Sequence, residues 1–377
     1  MAGWDDIQAV LDDELRAARL AKARGQAVVG VLSNNVPVEL IHAAGAFALQ
    51  LPTAPLPVTA LADQYLERAF DPQARSALER LLRGDFALID LLVLPRSVDS
   101  FQRLYYYLCE LRRSFGLQLP EPFLYDILQT PWPTSDQYSH ASTLELARRL
   151  AALTGRPLGV TQLAHSIASY NRVRERLTEV LAWRHRIPCR LRGERAHMLL
   201  TAATRLAPEE FSAALAGCSE DVPGSRTRVL LAGSAQDTPA LHRLIAAAGG
   251  EVVCDYHWRG DLLFGPPIEE QGDPFEAVSR HYQRHSFSAR TFAPPADRLR
   301  ELREFTEHSR ADCAVFYYHA EDDALCWDYN AQREAIGLPT LLLSIQPYAP
   351  DPALLTPLRE FLRGLAIEPS VARSPVS

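Results

Sequence analysis

A chain of 377 residues exceeds what one hydrophobic core serves, so two α/β domains are the default expectation. Its 47% hydrophobic and 23% charged residues are those of a soluble globular protein, and a net charge of −7 argues against nucleic acid as the main partner, because phosphate binding needs an excess of Lys and Arg. No run approaches the roughly 18 consecutive apolar residues of a spanning helix, so no membrane crossing is expected.

The chain opens on an acidic stretch, Trp4-Asp5-Asp6 through Asp12-Asp13-Glu14, without the basic start and apolar run of a signal peptide. Across residues 5–24, Ile7, Val10, Leu11, Leu15 and Ala18 recur at helical spacing and predict one amphipathic helix, an N-terminal element over 1–25. The short apolar run 27–32 is rich in β-branched residues and predicts a buried parallel strand. Pro37 in a first helical turn, Glu39 beside it and Gly45 behind predict a helix over 38–44, with the next strand of a βαβ unit at 46–51. A helix through 78–82, a strand over 87–94 stopped by Pro95, and a helix over 101–115 follow. The proline-rich stretch 120–133 reads as irregular, with a short strand at 123–127. Together these form a first α/β domain over 26–141.

From 142 to 218 the pattern is helical, with helices over 143–153 and from about Thr161 to about Trp183. Pro223 and Gly224 mark 219–226 as a hinge. The second α/β domain, 219–377, carries strands at 228–233, 251–255, 313–318 and 339–345. Its helices are expected at 239–248, near 275–285, at 297–308, 324–336 and 352–365, with a frayed tail from Pro369. The fold class expected is α/β: two Rossmann-like parallel-sheet domains joined by a helical segment, plus the N-terminal helix.

In such sheets ligands sit beyond the carboxyl ends of the strands, which directs attention to loops 33–37, 95–99, 233–238, 255–261 and 319–323. Ser33, Asn34, Asn35, Ser97, Gly233 and Ser234 are the candidate substrate-cleft residues on them. The Leu231-Ala232-Gly233-Ser234 turn lacks the further glycines of GxGxxG and any P-loop lysine, so a structural turn is the favoured reading. GxSxG, HExxH and CxxC are all absent. Asp255, His257 and Asp261 on one loop, with His319, Glu321, Asp322 and Asp323 on another, offer imidazole and carboxylate groups. His257, His319 and Asp322 are the candidate metal set, for zinc or non-haem iron, against the favoured reading of a solvated acidic loop pair. For Glu39, stabilisation by the helix dipole and a role as general acid or base both remain open on spacing alone. The six cysteines, Cys109, Cys189, Cys218, Cys254, Cys313 and Cys326, are scattered, which fits buried, reduced thiols and a cytoplasmic protein.

Several blocks then agree in order and spacing with one family. Val36-Pro37-Val38-Glu39-Leu40-Ile41-His42-Ala43-Ala44-Gly45 resembles the opening motif of the 2-hydroxyacyl-CoA dehydratase and benzoyl-CoA reductase family. Leu92 through Ser100 is similar to its strand followed by Ser/Thr-Cys-Asp, and Leu163 through Arg174 to its helical Asn-x-x-Arg segment. Arg228 to Gly233 with Asp237-Thr238-Pro239, Gly272-Asp273-Pro274-Phe275-Glu276-Ala277, and Asp312 to Tyr329 with Ile336-Gly337-Leu338-Pro339 resemble the remaining blocks, over roughly residues 25–350. The resemblance implies a heterodimeric enzyme whose subunits each have two α/β domains and a helical part, with an acyl-CoA thioester bound between domains. It implies a [4Fe-4S] cluster held by three cysteines per subunit, which passes one electron to the thioester to form a ketyl radical. An ATP-hydrolysing activator protein supplies that electron.

Where the family keeps its cysteines, this chain carries Val98, Trp258 and Asp322. Val98 has no donor atom, Trp258 only an N–H, and one carboxylate does not hold a cubane cluster. Cys254 and Cys326, each four residues from such a position, fit buried packing better than displaced ligation. The expectation is a cluster-free subunit with no cofactor of its own. It would shape an acyl-CoA cleft and pair with a cluster-bearing paralogous subunit holding the [4Fe-4S] cluster, with Glu39 as its one candidate catalytic group. An acyl-CoA-binding regulatory protein, and a non-redox enzyme using the His257, His319 and Asp322 metal set, are the alternatives.

Overall fold

The computed structural model describes residues 2–284 and 295–367. The tail from Pro369 and the end of the helix expected near 275–285 lie outside the described residues. The first sheet holds β1 (Val28–Val31), β2 (Phe47–Gln50), β3 (Leu91–Pro95) and β4 (Glu121–Tyr125) in the order β2-β1-β3-β4, every pair parallel. The second repeats the plan with β5 (Thr227–Gly233), β6 (Gly250–Tyr256), β7 (Cys313–His319) and β8 (Thr340–Gln346), ordered β6-β5-β7-β8 and again parallel. The α/β class with two parallel sheets is as the sequence predicts.

Alternation explains the layers. Val28, Leu49, Leu92 and Leu94 face one core while Val29, Val31, Leu91 and Val93 face another, so both sides of the first sheet are covered. Val229, Leu231, Val315 and Tyr317 are divided from Leu230, Ala232, Ala314 and Phe316 in the same way across the second.

Helices α1 (Ala2–Asp12) and α2 (Arg16–Ala23) precede β1, and α3 (Val38–Ala43), α4 (Pro72–Arg83) and α5 (Asp99–Phe115) connect the first four strands. The helical segment is α6 (Pro133–Thr154), α7 (Val160–Leu181), α8 (Gly193–Ala203) and α9 (Pro208–Ala216). In the second half come α10 (Ala240–Ala248), α11 (Pro274–Arg284), α12 (Pro295–Ser309), α13 (Asp323–Cys326), α14 (Tyr329–Ile336) and α15 (Leu355–Ile367). Among the described residues no helix is long and apolar enough to cross a membrane.

Several boundaries differ from expectation, each for a visible reason. The single N-terminal helix is two helices, because Ile7 packs with α7–α9 whereas Ala18 and Ala21 pack under the first sheet. One straight helix cannot serve both cores. β3 begins at Leu91 rather than at 87, after Asp90 turns its carboxylate to the Val28 N–H at 2.8 Å and to Lys22 Nζ at 2.5 and 2.6 Å. β4 lies at Glu121–Tyr125, two residues before the expected strand. α6 starts at Pro133, ten residues before the predicted onset at Thr143, because the buried side of its first turns is Ser135, Ser139 and Thr143. These hydroxyls are satisfied locally: Thr143 donates to the Ser139 carbonyl at 2.8 Å and pairs with the Tyr125 hydroxyl at 2.9 Å. The helix expected over 324–336 breaks at Trp327 and Asp328, where Asp328 pairs with Arg298 at 2.8 Å. Finally, α11 sends Ala277, Val278 and Tyr282 into the core shared with β1 and β3, so this late segment closes over the first sheet.

Candidate functional site

The strand orders create switch points between β1 and β3 and between β5 and β7, where crevices open beyond the carboxyl ends. Side chains at these ends tie the two halves together. Asn34 donates to the Leu262 carbonyl at 3.1 Å, and Gln73 of α4 donates to both carboxylate oxygens of Asp237, at 3.0 and 2.9 Å. Arg259 donates to Thr53 Oγ1 at 2.9 Å while pairing with Asp237 at 2.5 Å, and the Tyr348 hydroxyl also donates to Asp237. Asp237 is thus the hub of a polar seam.

Beside it, Ser234 Oγ accepts the His319 N–H at 3.0 Å and donates to Asp322 at 2.8 Å, linking the loops after β5 and β7. Asp71, the N-cap of α4, faces the same acids. Burial first, then the charge of Asp322 and, less, that of Asp237, pushes its carboxyl up to about 7. Burial pushes the His319 imidazole down to about 4, against the pull of Asp237. The Gly233 turn is structural: its φ is 113°, and an added Cβ would meet the Tyr317 carbonyl oxygen at 2.2 Å.

A separate cleft of about 40 Å³ lies between the first sheet and the helical segment, lined by Val31, Ser33, Asn34, Gln50, Tyr170 and Tyr282 among others. It is narrow. Ser33 sits in the left-handed region at φ 84° and donates to Asn35 Oδ1 at 3.1 Å. The predicted cleft residues therefore divide. Ser33 and Asn34 line this cleft, and Asn35 is buried beneath it. Gly233 and Ser234 belong to the seam instead, and the Ser97 hydroxyl is buried without a hydrogen-bond partner among the described residues. The contacts among Gln73, Asp237, Arg259 and Thr53 lie on the seam side.

Glu39 does not line the cleft. It is fully buried, with Arg174 paired to one carboxylate oxygen and the Tyr282 hydroxyl donating to the other at 2.8 Å. Burial opposes its charge, but Arg174 and then His281 outweigh it and hold the carboxyl below its ordinary value. Asn171, one helical turn before Arg174, accepts from the Ile268 N–H at 2.8 Å and donates to the Ile268 carbonyl at 2.7 Å. The Asn-x-x-Arg segment is therefore the device that clasps α3 and the 264–270 loop to α7.

The family model described as 2-hydroxyglutaryl-CoA dehydratase, D-component, matches residues 33–352. This chain belongs to that family. No curated protein matches it.

Val98 is buried in the first-sheet core immediately before α5. Trp258 is buried under the Arg259 guanidinium, 4.9 Å from its ring centroid, and Asp322 is engaged by Ser234. Cys189 and Cys254 pack together in an apolar core, and Cys313 lies in the core on the other face of the sheet. Burial raises the Cys254 thiol well above its ordinary value, which favours the inert thiol. Among the described residues no three cysteines converge, so this donor set does not fit a cubane cluster.

The predicted metal set also changes. His257, His319 and Asp322 do not gather; among the described residues the group that converges is His197, His242 and Asp255. His257 turns instead to Asp255, at 3.6 Å, and Asp322 to Ser234. The side chain of Asp323 lies outside the described residues. His197, His242, Gln73 and Asp71 carry no motif; Arg174 and Asp237 stood inside blocks that resemble the family, the one signal that could have singled them out.

Proposed function

We propose that this chain is a cluster-free subunit of a 2-hydroxyacyl-CoA dehydratase or benzoyl-CoA reductase type of complex, binding an acyl-CoA thioester and pairing with a cluster-bearing paralogous subunit. The observation that carries the reading is the family match over 33–352, and it is supported by Val98 and Trp258 standing where the resemblance puts cluster cysteines. Neither offers a ligand to iron. In this reading the [4Fe-4S] cluster belongs to the partner, which an ATP-dependent activator reduces, and this chain supplies binding surface.

The cleft at Ser33 and Asn34 is the ligand site that fits best, with Val31 and Leu263 as apolar walls and two polar side chains to orient a thioester. Its narrowness requires the Leu263–Phe264 wall to yield on binding. Glu39 supports this wall from behind, through Arg174 and the Phe264 carbonyl at 3.2 Å, rather than reaching the ligand.

Co-expression with a neighbouring paralogue that retains the three cysteines tests the proposal. A stoichiometric complex is expected, with iron and sulfide confined to the partner, and calorimetry against a panel of CoA esters should detect binding. An iron-free homodimer with full activity, or no ester bound with or without the paralogue, would overturn it.

A further inference from the structure

His197, His242, Asp255 and His257 come from three elements and one loop: α8, α10, β6 and the turn after β6. All four are buried. One ligand atom from each of His197, His242 and Asp255 lies within 4.8 Å of the others. His242 Nε2 is 2.7 Å from Asp255 Oδ2, the His197 and His242 ring centroids are 5.1 Å apart, and His257 Nε2 is 3.6 Å from Asp255 Oδ1.

A buried His–Asp pair would account for His242 alone. It leaves Nδ1 and Nε2 of His197, both ring nitrogens of His257, Nδ1 of His242 and Oδ1 of Asp255 buried with no hydrogen-bond partner among the described residues. Six such atoms in one cluster are far from the native norm, in which nearly every buried polar atom is satisfied. Each of these residues offers one lone-pair atom to a metal, a ring nitrogen of a neutral imidazole or a carboxylate oxygen.

We propose that His197, His242 and Asp255 bind one divalent ion of the zinc class, with His257 as the adjoining fourth group. Charge agrees with this assignment. Arg184 is paired with Asp261 and Arg259 with Asp237, so each neighbouring guanidinium already has its carboxylate, and Asp255 is the acid left to a cation. Burial lowers the imidazoles of His197 and His257, and the neutral imidazole is the form that ligates.

The scaffold is rigid where a site needs it. The Asp255 N–H donates to Asp261 Oδ2 at 2.8 Å, and its carbonyl accepts from the Asp261 N–H at 2.8 Å. Gly260 permits that return, since an added Cβ would lie 2.3 Å from the Asp255 carbonyl oxygen. Access exists as well: His197 borders a cavity of about 270 Å³ shared with Thr53, Thr201, Arg205 and Asp237. An ion enters from there. The site does not depend on acyl-CoA binding or on a partner subunit.

The test uses the full chain, stripped with a chelator, dialysed, and titrated with Co²⁺ as the probe. One equivalent should bind with the visible absorption of a low-symmetry, near-tetrahedral ion, and Zn²⁺ should displace it and raise the melting temperature. His197→Gln and Asp255→Asn should each weaken binding by roughly 100-fold or more, a larger loss than second-shell changes produce. His319→Gln should leave it unchanged. Circular dichroism identifies which variants are folded, and His242→Asn replaces either one that is not. No cobalt spectrum in folded wild-type protein, unchanged titrations in the folded ligand variants, or loss of binding in His319→Gln alone would each overturn the site.

Discussion

At the scale of the residue, Glu39 decides between holding and reacting. Both of its oxygens are engaged, by Arg174 and by Tyr282, and it does not line the cleft at Ser33 and Asn34. Glu39→Gln should therefore destabilise the fold by roughly 3–5 kcal/mol in urea unfolding near pH 7, because Arg174 is left charged and unpaired in the core. The sign with pH follows from its lowered folded-state value. The stabilisation is present above the ordinary glutamate value of 4.5 and is lost as pH falls through the lower folded value. The gap between wild type and variant should accordingly close in acid, and a gap independent of pH would count against the ion pair. The sequence brought this residue to notice through its place in a first helical turn. It could not show the arginine on α7 that makes it an anchor.

The element scale is governed by helix starts. Asp71 caps α4 by accepting from the Gln73 and Ala74 N–H groups, at 2.8 and 3.3 Å. Burial and the facing acids raise its carboxyl from 3.8 to about 7. For an acid with a raised folded-state value, the contribution to stability is fully present below the unfolded value and is lost as pH rises through about 7. Asp71→Asn keeps a competent cap and removes the charge, so it should raise the melting temperature at about pH 8.5 by several degrees and by clearly less at about pH 5. Scanning fluorimetry at the two pH values measures the difference, and equal shifts at both would reject the electrostatic account. The late prediction of α6 belongs at this scale too. Apolar period is what a sequence exposes, and a helix whose buried turns carry Ser135, Ser139 and Thr143 has none to read.

For the whole molecule, the decisive contacts join the halves. Arg259 bridges Asp237 to Thr53, and Gln73 closes the same bridge from α4. Arg259→Met leaves Asp237 buried with Gln73 and Tyr348 as its remaining donors among the described residues, and should cost roughly 3–5 kcal/mol. It should also quicken proteolytic cleavage in residues 219–226, the connection into β5, as the halves loosen. Unchanged cleavage with reduced stability would place the loss within the second half alone.

The sequence by itself determined the strands, the parallel α/β class and the family, because each rests on local pattern. A buried strand is a short β-branched run, a cap is a residue type at a fixed offset, and a family block is a contiguous string. It also marked Val98 and Trp258 as unable to bind iron, since that depends on side-chain chemistry alone. Only the tertiary structure decided which polar groups meet. Strand order and helix crossings brought His197, His242 and Asp255 together, turned Asp322 toward Ser234, and divided one expected cleft into a cleft and a seam. Those encounters join residues far apart in the chain, and no local period records them.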